Sequence, residues 1–165
     1  MKNKKAYTLI ELLIVIAIIA IIAKPVFAAL NPLARFTAAR TSRRLNDVSA
    51  VMTAIKVSQI DRAGSYITPV ANLTNGVTYM ISNGTNTSAV IGTANCALSS
   101  IGSTTAADLS SLVTGGYLGS VPVSPNGKGA YTATSTGYTI TKATNGLITI
   151  TACDSESTPQ PKITR

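Results

Sequence analysis

The chain has no histidine and no tryptophan, and only six acidic residues and two cysteines among its 165 positions. Without histidine it lacks the usual general base and the commonest metal ligand near neutral pH. The acids are Glu11, Asp47, Asp61, Asp108, Asp154 and Glu156, and no two stand at a convincing metal-binding or acid–base spacing. Neither a nucleotide-binding glycine signature nor a G-x-S-x-G turn occurs. Two thiolates fall two ligands short of a structural zinc site. The expectation is a chain that is not an enzyme and holds no metal or cofactor.

A chain of this length has room for one modest core plus an appendage. Its net charge of +8 is unevenly spread, because the first 65 residues hold ten of the fourteen Lys and Arg and three of the six acids. The remainder is nearly neutral and rich in Thr, Ser, Gly and Asn. Both cysteines, Cys96 and Cys153, lie in that polar part. A pair in an exported, Thr-rich domain reads as one disulfide; the alternative is two unrelated buried thiols.

What the sequence does have is a long apolar run. Residues 1–6 are short and basic (Lys2, Lys4, Lys5), and Tyr7 to Ala23 is apolar except for Thr8 and Glu11. Lys24 and Pro25 interrupt the run, and Val26 to Leu30 resumes it. The whole stretch suffices to cross a bilayer of about 30 Å as a helix. The lysines before it place the N-terminus in the cytoplasm and the rest outside. An ordinary cleaved secretory signal, ending near Ala28–Ala29, is the competing reading. Glu11 counts against it, since an acid in an apolar core costs about 2.5–3.5 kcal/mol on insertion scales. So does the helical pattern that continues beyond, from about Leu33 to Ile60.

In that continuation Leu45, Val48, Met52 and Ile55 form an apolar stripe, with Arg35, Arg40, Arg43, Arg44 and Lys56 mostly off it. Asp47 is placed to pair with Arg44 on the surface. Gly64 is a suitable C-terminal cap. Pro25 and Pro32 each remove a helical hydrogen bond and predict a kinked or unwound stretch between about residues 21 and 32. From Ser65 on the period changes to two. Gly76–Ser82 and Ser88–Ile91 read as strands, Asp108–Val113 as a short helix or turn. Tyr131–Thr134, Tyr138–Lys142 and Leu147–Ala152 read as an antiparallel meander.

The expected fold is α+β: a long N-terminal helix, apolar in its first half and amphipathic in its second, packed on a small antiparallel β-sheet head. The segments are a short basic stretch (1–6), a transmembrane helix (7–30), its amphipathic continuation (31–64), a β-rich head (65–153) and a flexible tail (154–165).

The stretch Ala6-Tyr7-Thr8-Leu9-Ile10-Glu11-Leu12-Leu13 resembles the N-terminus of type IV pilins and pseudopilins. That family joins a basic leader, a cleavage point, an aromatic first mature residue and a glutamate four residues further on. It usually has Gly before the cleavage point, where this chain has Ala6. Asn31-Pro32-Leu33-Ala34-Arg35 through Arg43-Arg44-Leu45, and Leu112 to Pro125, are also similar to pilin-like chains. The resemblance implies cleavage between Ala6 and Tyr7 by a prepilin peptidase, N-methylation of Tyr7, and insertion in the inner membrane before assembly into an extracellular, pilus-like filament. Its partners would be identical or related pilin subunits, the peptidase and the assembly machinery. Glu11 would meet the Tyr7 amine of a neighbouring copy in the filament core.

Three alternatives stay open: a pseudopilin of a type II secretion-like system, a non-polymerising membrane-anchored adhesin, and a secreted enzyme. Glu11 speaks against a mere anchor, where leucine would serve better. Nucleic acid is not indicated as a partner. The arginines 35, 40, 43 and 44 would suit phosphates, but the favoured reading places them near lipid headgroups.

Overall fold

A computed structural model describes residues 7–84, 96, 106–125, 131–153 and 155–165. The leader residue Ala6, the expected strand Ser88–Ile91 and Asp154 lie outside them. The chain divides into two compact units, Met1–Phe36 and Thr37–Arg165.

In the first unit, helix α1 spans Leu9–Leu30, and Pro32 opens helix α2 (Pro32–Asp61). Pro25 lies inside α1 and does not end it. A proline removes one amide from the ladder, and the flanking turns carry the helix past it. The interruption falls at Asn31, whose φ of 37° and ψ of 66° are left-handed. Pro32 is the cause. It disfavours the α conformation in the residue before it, and asparagine accepts the left-handed region better than most residues. Pro32 then occupies a first helical position, where a missing N–H matters least.

In the second unit α2 buries Arg44, Val48, Val51, Met52, Ala54, Ile55 and Ser58. Three of the four expected stripe residues are therefore inside, while Leu45 is 48 % exposed. Arg44, expected off the stripe, takes its place and is fully buried. The helical period explains the exchange, since Arg44 stands one turn (i, i+4) before Val48. After Asp61 the chain turns through Ala63 (φ 53°) and Gly64 (φ 92°), with the Gly64 amide donating to the Gln59 carbonyl at 2.8 Å.

Among the described residues, two short helices, α3 (Thr68–Ala71) and α4 (Ser110–Thr114), accompany five strands. These are β1 (Thr78–Ser82), β2 (Ala107–Asp108), β3 (Tyr138–Lys142), β4 (Ile148–Ala152) and β5 (Lys162–Thr164), in the order β2-β1-β3-β4-β5. The sheet is mixed, which corrects the antiparallel expectation: β1 and β2 run parallel, and the other pairs antiparallel. The connection from Ser82 to Ala107 exceeds the roughly dozen residues that parallel pairing needs. Tyr131–Thr134 forms no strand and contributes one bridge, Thr132 to Ser135. The expected loose tail is also corrected, because its last residues are β5, paired with β4.

The core joins α2 to the sheet through Val48, Met52 and Ile55 on one side and Ile81, Ile140, Ile148 and Ile150 on the other. The outer face carries a row of threonines in register across four strands, Thr78, Thr141, Thr149 and Thr164. They bond pairwise at 2.8 Å (Thr78 with Thr141) and 2.9 Å (Thr149 with Thr164).

Beneath α2 the buried Tyr138 hydroxyl donates to Asp47 Oδ2 at 2.6 Å. Asp47 thus pairs inward, and its recorded cation is Arg43 at 3.9 Å rather than Arg44. Burial first, and then the bond to Asp47, pushes the Tyr138 hydroxyl far above its ordinary range and keeps it a donor. Tyr138→Phe is expected to lower head stability by about 1.5–3 kcal/mol, the contribution of a hydrogen bond to a charged group. Urea unfolding followed by far-ultraviolet circular dichroism measures this. An unchanged midpoint would mean that the bond adds nothing.

Candidate processing and assembly site

The site is built from the first residues of α1. Thr8 has extended backbone angles (φ −76°, ψ 153°) and caps the helix. Its hydroxyl accepts from the Glu11 amide at 3.3 Å, while its own amide and hydroxyl donate to Glu11 Oε2 at 2.9 and 3.0 Å. This is a reciprocal capping box. Both side-chain bonds land on Oε2, and Oε1 is left to take a further donor. Glu11 is therefore locally held while keeping an acceptor in reserve.

Thr8 was not among the expected functional residues, though its signal was present. A threonine three residues before a glutamate, ahead of an apolar run, is the capping-box pattern. Tyr7 precedes the cap and is 86 % exposed. Together with Glu11, Leu12, Ile14 and Val15 it lines an open hollow of about 490 Å³.

The rest of α1 gives this end its setting. Leu9–Phe27 has a mean hydropathy of 2.7, none of it is buried within the chain, and it is long and apolar enough to cross a membrane. Leu12, Leu13, Ile16, Ile19 and Val26 are all at least half exposed. So contiguous an apolar surface needs lipid or other apolar helices around it.

The remaining sequence-derived residues belong to other parts of the chain. Pro25 and Pro32 sit within and after α1, as described. Cys96 and Cys153 form a disulfide with Cα atoms 5.3 Å apart, packed with Met80, Ala106 and Tyr131. The arginine cluster is divided. Arg40 donates two 2.6 Å hydrogen bonds to Glu156, and Arg44 Nη1 stands 3.5 Å from the same carboxylate. The bond to Glu156 raises Arg40 above its ordinary value and, in return, holds Glu156 below the usual carboxylate range. With Arg43 beside Asp47, three of the four arginines have acidic partners within the fold, which removes most of the basis for a phosphate-binding patch.

No curated protein and no solved structure matches the chain. Residues 1–23 match the family described as the prokaryotic N-terminal methylation motif. Those residues include the lysines of the leader, Tyr7, the Thr8–Glu11 cap and most of the apolar face of α1. Residues 1–23 thus carry the class III prepilin-like signal, the kind found in type IV pilins and pseudopilins.

Proposed function

We propose that this protein is a structural subunit of a type IV pilus-like extracellular filament. It enters the cytoplasmic membrane with its N-terminus inside, is cut between Ala6 and Tyr7, is N-methylated on Tyr7, and assembles with copies of itself through α1. The observation that carries the reading is Glu11. It is a carboxylate in an otherwise apolar segment, with one oxygen occupied by its own cap and the other free for a neighbour's amine.

The reading is non-enzymatic. Support comes from the engagement of the acids: Asp47 accepts from Tyr138, Asp108 from the Gly84 and Ser110 amides, and Glu156 from Arg40. Each serves the fold.

The mature chain is expected to begin at Tyr7 with a methylated amine. Intact mass and N-terminal sequencing of purified protein measure this, and electron microscopy of sheared material looks for filaments. A chain beginning at Ala29 would overturn the reading in favour of ordinary signal cleavage.

A further inference from the structure

Segment 155–165 is attached to the second unit at three places. At its start lies the Glu156 carboxylate with Arg40 and Arg44 of α2. In its middle, Gln160 Nε2 donates to the Cys153 carbonyl at 3.0 Å, and the Ala152 amide to the Pro161 carbonyl at 2.9 Å. At its end, Arg165 exchanges two backbone bonds with Ile148, at 2.9 and 2.8 Å. Strand β5 itself has three residues, of which Lys162 and Thr164 are exposed. So short an edge strand adds little stability alone. Yet it covers the outer edge of β4, which carries Ile148, Ile150 and Ala152 of the core.

Arg44 is what gives the first attachment its weight. Its guanidinium is fully buried, with Nε donating to Ser124 Oγ at 3.1 Å and Nη2 to the Pro125 carbonyl at 2.9 Å. Neither acceptor is charged, and among the described residues Nη1 has no hydrogen-bond partner. Among the described residues, Glu156 is the one carboxylate within ion-pair distance of it. If the segment lifts away, a buried cation loses its anion, and such orphaned charges are strongly unfavourable.

We propose that Glu156 is the latch of a C-terminal strap, fastening residues 155–165 to α2 through Arg40 and Arg44 so that the β4 edge stays covered. The inference concerns the head alone and stands whether or not the chain forms filaments. Other charged groups near the latch are committed elsewhere. Arg43 is paired with Asp47, Asp47 is held by Tyr138 of β3, and Tyr138 stays neutral. Protonation of Glu156 releases the latch. Because the folded carboxyl titrates below its ordinary range, the latch is complete above that range and lost as pH falls through the depressed value. An open strap exposes the backbone of Thr149–Thr151, a template on which another extended chain can pair.

Hydrogen–deuterium exchange of the full chain in detergent tests this, comparing wild type with Glu156→Gln and Arg40→Gln. At neutral pH the β5 amides are expected to exchange about tenfold faster or more in Glu156→Gln. A smaller rise is expected in Arg40→Gln, with β1 and β3 unchanged in both. After correction for intrinsic exchange, acid should bring wild type to the Glu156→Gln rate and leave that variant without a further step. Wild-type β5 rates in both variants would overturn the proposal. So would β1, β3 and β5 accelerating together, since the pair would then support the whole core. If Glu156→Gln does not fold, Arg40→Gln decides, because Arg44 keeps its anion there.

Discussion

Glu11→Leu is expected to abolish ordered filaments while leaving membrane insertion and the head intact. The substitution removes an insertion cost, so the precursor enters lipid at least as well as before. It also deletes the carboxylate proposed to meet a neighbouring Tyr7 amine, leaving that amine charged and buried. The penalty for such an orphan is about 3–5 kcal/mol per subunit, repeated at every contact. The capping box adds a confounding term, since Glu11 also holds the Thr8 amide and hydroxyl, and losing a cap costs about 1 kcal/mol. Glu11→Gln separates the two. An amide oxygen still accepts from Thr8 but carries no charge, so both variants fail if charge pairing matters and only leucine fails if capping does. Filament yield after shearing, read beside membrane fractionation, is the measurement. Normal filaments from both variants would sink the assembly role.

The second large effect is expected at the disulfide. Cys96 and Cys153 are 57 residues apart, and closing a loop of that size removes about 4 kcal/mol of entropy from the unfolded chain in the loop-closure model. Cys96→Ala should therefore lower the urea midpoint of the head sharply. Reduced wild type should fall to nearly the same value, with the residual difference reporting lost packing against Met80 and Tyr131. Equal midpoints for oxidised and reduced wild type would show that the bridge adds no stability.

Hydrophobic periodicity made the helices legible. Apolar residues broken only by Glu11 from Leu9 to Ala23 have one stable conformation in lipid, and Val48, Met52 and Ile55 recur at a helical spacing. The strands β1, β3 and β4 were legible for the same reason at period two. The disulfide was legible because both cysteines lie in the polar, Thr-rich part of the chain. Periodicity fails where charges are buried in pairs, and it assigned Arg44 to the surface. A partner 112 positions away (156 − 44) decides that burial, and no local window contains it. Strand β5 was hidden for a related reason. Pro159 and Pro161 read as a break, while the pairing partner that orders Lys162–Thr164 belongs to β4. At the N-terminus the reverse holds: the Thr8–Glu11 cap is local and readable from a threonine three residues before a glutamate.

The Arg40–Arg44–Glu156 cluster also sets an order on evolutionary change. If Arg44 is replaced first by an apolar residue of similar volume, Glu156 keeps the two bonds from Arg40, and the core loses a desolvated charge, a change that is often neutral or stabilising. If Glu156 is lost first, Arg44 is stranded. One path between the paired and unpaired states is open and the other crosses a barrier of several kcal/mol. Descendants of this sequence are therefore expected to include glutamates at 156 without an arginine at 44, and seldom the reverse.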